Sequence, residues 1–284
     1  MKGVTVLFLG CGDLGIRAGQ ALLGVGARVI GVRRSAGRLP VDFETVTADY
    51  TQPGSLAVLE TLAPDYVVTA FKPSGRDEPG YRLGFLEAAN NLVEGLGAHQ
   101  PRRVLFVSST RVFAEKAGGW VDEDSPLTTD DLPACRIIDA ERALSAAGLA
   151  LTSVRCSGIY GDSQGRLLSR IATGQLCPAD PVSYSNRIHR DDAGDFLAHL
   201  VLRDYAGDEL APSYIASDDC PVPQHEVELW LAGEMGVDPA SLRFDAKRMV
   251  SGHKRCRNAR LHASGYTLRF PDYRAGYSSV LADR

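Results

Sequence analysis

Three glycines in Val6-Leu7-Phe8-Leu9-Gly10-Cys11-Gly12-Asp13-Leu14-Gly15 stand at G-x-G-x-x-G spacing, a pattern suited to holding phosphate. Four apolar residues lead in and an amphipathic segment follows, so the glycines sit where a buried strand turns into a helix. At such a turn Gly10 permits the tight bend, Gly12 lets backbone approach a pyrophosphate, and Gly15 allows the helix to pack against the strand. The N–H groups of Cys11, Asp13 and Leu14 then face the phosphates at a partly positive helix start. A glycine-rich turn in a cofactor-free domain is the plainer reading.

The following strand ends Gly31-Val32-Arg33-Arg34-Ser35, at a place where sites reading an unphosphorylated ribose commonly carry Asp or Glu. Two guanidinium groups suit a 2′-phosphate, which favours NADP(H) and leaves NAD(H) as the alternative. A solvated strand end is the other reading of Arg33 and Arg34. Asp49, after the third apolar run, either reaches toward adenine or closes a surface turn.

These side chains need a scaffold, and the sequence pattern supplies one. VTVLFLG, GIRAGQALLGVG and ARVIGVRR form a strand–helix–strand unit. Buried strands are expected at Thr45–Ala48, Tyr66–Ala70, Arg103–Ser108 and Leu151–Arg155, with helices near residues 53–62, 80–98 and 134–147. The expected fold is α/β, a Rossmann-type doubly wound parallel sheet. Past Gly158 prolines break the alternation, so residues 1–157 read as the dinucleotide-binding domain and 158–284 as a smaller substrate lobe. Within that lobe a helix near 191–203 and a strand near 214–216 are expected, the strand returning to the sheet.

The 284 residues carry a formal net charge of −4, which gives no global electrostatic pull toward a polyanion, so nucleic acid is not an expected partner. The six cysteines never form C-x-x-C, so neither a disulfide framework nor a zinc site is expected. No apolar run approaches the roughly 20 residues that span a bilayer, and the first strand is followed by no cleavage signal. A cytoplasmic protein, monomer or homodimer, with a small-molecule substrate and no metal is the expectation.

Further ordered pieces extend the pattern: Val68-Thr69-Ala70, Val107-Ser108-Ser109-Thr110-Arg111-Val112-Phe113, Val154-Arg155-Cys156-Ser157-Gly158-Ile159-Tyr160-Gly161 and Asn186-Arg187-Ile188-His189-Arg190-Asp191-Asp192. Together they resemble the extended short-chain dehydrogenases/reductases, the NAD-dependent epimerase/dehydratase family. The stretch from Gly265 to Gly276 is similar to the end of an atypical bacterial subgroup of that family. The resemblance places Ala70 beside the cofactor and gives the Ser109 hydroxyl a hydrogen bond to the reacting substrate oxygen.

That family also carries Y-x-x-x-K on the helix after the Ser109 strand. The tyrosine exchanges a proton with the substrate hydroxyl, and the lysine lowers the phenol pKa from about 10 and holds the ribose. Here the segment reads DLPACRIIDAERAL. With Glu141 matched to the glutamate after the family's lysine, Pro133 and Ile137 occupy the tyrosine and lysine places. Sliding by two brings in Cys135 and Asp139, leaving Cys135 as a proton donor or, more simply, a packing residue.

Chemistry could then come from loops at the carboxyl ends of the strands. Lys72 could balance phosphate charge, and Arg111, Tyr160 and His189 could meet substrate; a solvated lysine and a hydrogen-bonded structural histidine are the plainer readings. The basic run Arg243, Lys247, Arg248, His253, Lys254, Arg255, Arg257, Arg260 reads as a solvated face or as a clamp for an anionic substrate such as a sugar nucleotide. The expected activity is an epimerase, dehydratase or reductase that moves hydride; a catalytically inactive NADP(H)-binding sensor or scaffold is the alternative.

Overall fold

Seven strands pair side by side, all parallel, in the computed structural model, which describes residues 1–245 and 253–283. They are β1 (Thr5–Leu9), β2 (Arg28–Arg33), β3 (Glu44–Thr47), β4 (Tyr66–Thr69), β5 (Arg103–Ser109), β6 (Leu151–Cys156) and β7 (Ser213–Ala216). Their spatial order is β3-β2-β1-β4-β5-β6-β7. The chain winds outward from β1 to β3, crosses back, and winds the other way from β4. The direction reverses between β1 and β4, which opens a crevice at their carboxyl ends.

Burial on both faces explains the continuous apolar runs. Val6 and Phe8 enter one core, shared with helix α1 (Asp13–Gly24), while Leu7 and Leu9 enter the opposite core with Leu92 of α2 (Ala88–Leu96) and Leu144 of α3 (Leu132–Ala146). Each such side chain contributes about 1.5–3 kcal/mol on burial.

Two expected helices are broken by local contacts. Of residues 53–62 only Val58–Leu62 is helical, because Gly54 takes φ +72°, outside the helical region, while the Ser55 hydroxyl donates to the Asp49 carbonyl. The segment expected at 80–98 becomes a short helix, Glu78–Tyr81, a π-helical turn, Arg82–Glu87, and then α2. At Gly84 in that turn a Cβ would lie 2.2 Å from the Lys72 carbonyl oxygen, so the wide turn and the Lys72 loop fit only around a missing side chain.

The second half does not stay apart from the first. Helix α4 (Arg190–Ala206) packs Phe196, Leu197 and Leu200 on the same core as α1, and β7 extends the sheet beside β6. Gly194 allows the close crossing, since a Cβ there would meet Arg17 at 2.6 Å. The remaining lobe has its own small core around Leu168, Val227, Leu231 and Tyr277. A short parallel pair, Ala117–Val121 with His253–Cys256, carries the C-terminal part of the chain back to the carboxyl end of β5.

Helix α3 is tied to the sheet by a buried polar triad. The Arg155 guanidinium donates to Glu141 at 3.0 Å, and the Ser108 hydroxyl donates to the same carboxylate at 2.6 Å. Removing one charge from such a pair strands the other. Arg155→Met is expected to lower stability in urea by about 3 kcal/mol, and adding Glu141→Leu to recover more than half of the loss. A double variant no more stable than Arg155→Met would show that the pair is not what holds α3.

Candidate active site

The turn after β1 is built from backbone contacts that leave no room for a side chain. Gly10 has φ +78°, and a Cβ there would lie 2.8 Å from the Ala70 carbonyl oxygen at the end of β4. The amides of Gly10 and Cys11 both donate to Val32 of β2 at 3.0 Å, and the Ala70 amide donates to Leu9 at 2.9 Å. Gly12 precedes α1 in an extended conformation with no side chain over the helix start. The first N–H groups of α1 therefore stand open, as an anion site requires. Gly15 lies against Phe8, 3.4 Å from a Cβ built there, so α1 sits close on β1. Burial pushes the Cys11 thiol up to about 12, so its sulfur packs and only its backbone serves the turn.

Two cavities meet across this turn. One, of about 200 Å³, lies between Arg33, Arg34, Tyr50 and the Gly10–Gly12 backbone. The other, of about 440 Å³, runs past Asp13, Leu14 and Phe85 to Ser109 and Ile137. Gly10, Gly12, Ala70 and Lys72 line both, making one groove from the arginines to the end of β5. Lys72 is exposed, and its ammonium lies 3.8 Å from a Cβ built on Gly12, beside the open helix start. Arg33 and Arg34 pair with no carboxylate among the described residues. A diphosphate bridging two nucleosides fits this length, this uncapped helix start and these cations.

The profile of a family described as NAD(P)H-binding matches residues 10–204. A candidate NAD-dependent epimerase/dehydratase from Methylobacillus flagellatus is 36% identical over 99% of this chain and 98% of its own, with a TM-score of 0.84. The chain belongs to this NAD(P)-binding epimerase/dehydratase family. Its fold is shared at lower identity by a Thermus thermophilus UDP-glucose 4-epimerase in complex with NAD, 17% identical with a TM-score of 0.82. A Thermotoga maritima UDP-glucose 4-epimerase with UDP-glucose is 14% identical with a TM-score of 0.83. Both cover 98% of each chain. No curated protein matches the chain.

Compared with the resemblance that placed this family in the sequence, most of the cofactor positions converge. Asp49 does not reach the groove, because Thr51 donates to its carboxylate from both backbone, at 3.0 Å, and hydroxyl, at 2.7 Å. Tyr50 stands there instead, its ring 4.8 Å from Phe71 and its hydroxyl accepting from the Lys72 amide at 3.2 Å. Tyr50 was not singled out from sequence, where an isolated tyrosine after a strand carries no signal.

At the far end Ser109 closes β5 and faces the groove, with its hydroxyl accepting from the Arg111 amide at 3.2 Å. Arg111 is held by the Asp131 carboxylate at 2.7 and 2.9 Å and donates to the Tyr81 hydroxyl at 3.0 Å. Ile137 forms apolar wall of the groove, and Pro133 lies in the first turn of α3 behind the Asp131 cap. Cys135 lines neither the groove nor the cavity beyond Ser109; its thiol lies 3.8 Å from the Thr128 carbonyl oxygen. Beyond Ser109, a third cavity of about 510 Å³ is lined by Arg111, Lys116, Tyr184, Asn186, His253 and Lys254.

His189 and Tyr160 are turned to the lobe rather than to Ser109. His189 is buried, caps α4 by accepting from the Asp191 amide at 3.2 Å, and has its pKa lowered by that burial. Tyr160 lines a neighbouring cavity of about 430 Å³, but its hydroxyl is buried against Gly276. The basic run forms no common face. Arg255 and Arg257 lie over the Trp120 ring, Arg260 pairs with Asp124, and Lys247 and Arg248 fall outside the described residues. Among the described residues no cluster could hold a metal ion, and no helix is long and apolar enough to cross a membrane.

Beside Tyr160 and Arg187, burial pushes the Asp218 carboxyl up to about 7. The folded chain thus keeps this proton over a range where the unfolded chain, with an aspartate pKa of about 3.9, has lost it. More protons bound in the folded state means that stability falls as pH rises from about 4 to about 7. Asp218→Asn should flatten that part of a melting-temperature profile; an unchanged slope would place the titration elsewhere.

Proposed function

We propose that the chain is an NADP(H)-dependent enzyme of the epimerase, dehydratase or reductase type, acting by hydride transfer on a small anionic substrate that carries a hydroxyl or carbonyl. The observation that supports this reading best is the continuous groove from Arg33 and Arg34, across the open start of α1, to Ser109 and the cation-bearing cavity beyond it. A bound nicotinamide dinucleotide supplies hydride chemistry. The chain's own residues position and shield.

Arg33 and Arg34 would grip a 2′-phosphate, the α1 N–H groups and Lys72 the diphosphate, and Tyr50 would pack near the adenosine. Val107, Phe85 and Ile137 give apolar walls near β5, which keep water from the hydride path. Ser109 would orient the reacting oxygen. Its Arg111 neighbour, fixed by Asp131, would meet substrate charge. The sugar nucleotide bound by the Thermotoga maritima relative in fold is one substrate class that satisfies these demands.

Calorimetric titration tests the cofactor assignment. NADPH should bind more tightly than NADH by about tenfold or more, and Arg33→Ala with Arg34→Ala should remove that difference by weakening NADPH alone. Equal affinities in the native protein would mean that these arginines read no phosphate. Turnover should be followed by product analysis as well as nicotinamide absorbance, because an epimerase recycles its cofactor. Ser109→Ala is expected to lower kcat by about 100-fold while NADPH affinity holds. Tight NADPH binding without any product across hydroxy and carbonyl compounds, sugar nucleotides included, would support the sensor instead.

A further inference from the structure

With Pro133 and Ile137 in place of tyrosine and lysine, α3 offers no group that can exchange a proton with substrate. Another wall of the groove does. Lys254 belongs to the short strand His253–Cys256 and is 7% exposed. Its ammonium donates to the carbonyl oxygens of Thr110 at 3.3 Å and Phe113 at 3.5 Å, on the turn that Ser109 opens. It also lines the cavity that Ser109 and Arg111 share.

This is an unusual place for an ammonium. A buried charge is ordinarily matched by a carboxylate. Lys254 has no ion-pair partner among the described residues, whereas Lys116 beside it is paired with Asp130 at 2.7 Å and Arg111 with Asp131 at 2.7 Å. Two of its hydrogens have neutral acceptors, and a lysine carries three. The chain has only five lysines among its 31 basic residues, yet Lys72, Lys116 and Lys254 all stand along this groove. Arginine, which cannot release its proton, serves at the buried structural pairs.

Resting on the hydride-transfer reading above, we infer that Lys254 is a catalytic residue that exchanges a proton with the substrate oxygen oriented by Ser109. In the oxidative direction the substrate C–H bond would break, a bound oxidised nicotinamide supplying the hydride acceptor. The O–H bond breaks with it, the proton passes to the neutral amine of Lys254, and the O–H electron pair completes the C=O bond. In the reductive direction the ammonium returns that proton.

Burial lowers the Lys254 pKa, with Cys256, Glu115 and Asp131 opposing and Lys116 assisting. His253 on its own strand, with Arg111 and Tyr184 on the cavity wall, are the other charged and titratable groups lining this cavity. The direction is the one that acid–base exchange near neutrality needs.

Reductive methylation with 13C-formaldehyde and an NMR pH titration reads this group without any substrate, with Lys254→Arg assigning its signal. Lys254 should titrate below the usual 10.4. A midpoint at or above that value overturns the proposal. In the turnover assay, Lys254→Met and Lys254→Arg should each lose about 100-fold or more in kcat while NADPH affinity stays within about twofold. The pH limb of kcat should vanish in the arginine variant, whose charge is kept and whose proton is not released. Turnover within about threefold of native in Lys254→Met, or a loss confined to Tyr81→Phe, would assign the proton elsewhere. If the native protein makes no product, the function proposed above fails, and the titration alone decides whether Lys254 is poised for exchange.

Discussion

The contact on which the rest of the site depends is the meeting of Gly10 with the end of β4. Strand order places β1 beside β4, and the Ala70 amide on the Leu9 carbonyl holds the two strand ends in register. Because Gly10 has no side chain, the turn passes under Ala70 and delivers the start of α1 to the middle of the crevice. A larger residue would collide with main chain rather than with a movable side chain. The position of the helix start, and of everything that faces it, is therefore set by backbone packing inside the sheet. Lys72 inherits its place from the same strand end, and Gly84 holds its loop from the other side.

Charge is sorted around this frame in a consistent way. Four structural arginines are matched: Arg17 with Asp191, Arg103 with Asp204, Arg155 with Glu141 and Arg170 with Glu228. These pairs knit α1 to α4, β5 to α4, β6 to α3, and the lobe helices together. Along the groove the cations of Arg33, Arg34, Lys72 and Lys254 have no such partners among the described residues. A protein whose net charge is −4 thus keeps a positive line where a dinucleotide and an anionic substrate would lie. Global charge says nothing of this, since it averages a paired exterior with an unpaired groove.

What could be read in the sequence was what depends on neighbours along the chain. The Gly10–Gly15 turn, the parallel strands and the return of the strand near 214–216 follow from local pattern and from glycine's permitted geometry. Asp49 shows where local reading fails: the residue type suits both an adenine contact and a turn, and Thr51, two residues on, decides for the turn. Tyr50 was hidden for another reason, and Lys254 stood out only as one member of a basic run. Tyr50 matters only because Phe71 comes from β4 to meet it, and Lys254 only because a strand of the C-terminal region pairs with Ala117–Val121. His189 and Asp192 are the converse, since a motif-like run proved to be scaffold. His189 caps α4, and the Asp192 carboxylate accepts from Tyr266, Arg269 and Phe270 to fasten the C-terminal segment.

Helix α3 holds the groove wall in place while presenting an apolar side chain to it. Glu141 and Arg155 still bind it to β5 and β6, so the wall of the groove stays where the fold needs it. Pro133 follows the Asp131 cap, where a missing N–H costs little, and Ile137 presents a side chain that neither donates nor accepts. On the proposed function, an apolar wall there would exclude water from a hydride path and leave the oxygen end of the reaction without a proton. The two tasks that one tyrosine–lysine pair combines would then be divided among elements. Shielding would fall to α3, orientation to Ser109 at the end of β5, and charge at the oxygen to Arg111 and Lys254, which line the cavity beyond it. Such a division would tie proton transfer to the pairing of Ala117–Val121 with His253–Cys256, so the proposed chemistry would require the C-terminal region to be docked as well as the dinucleotide to be held.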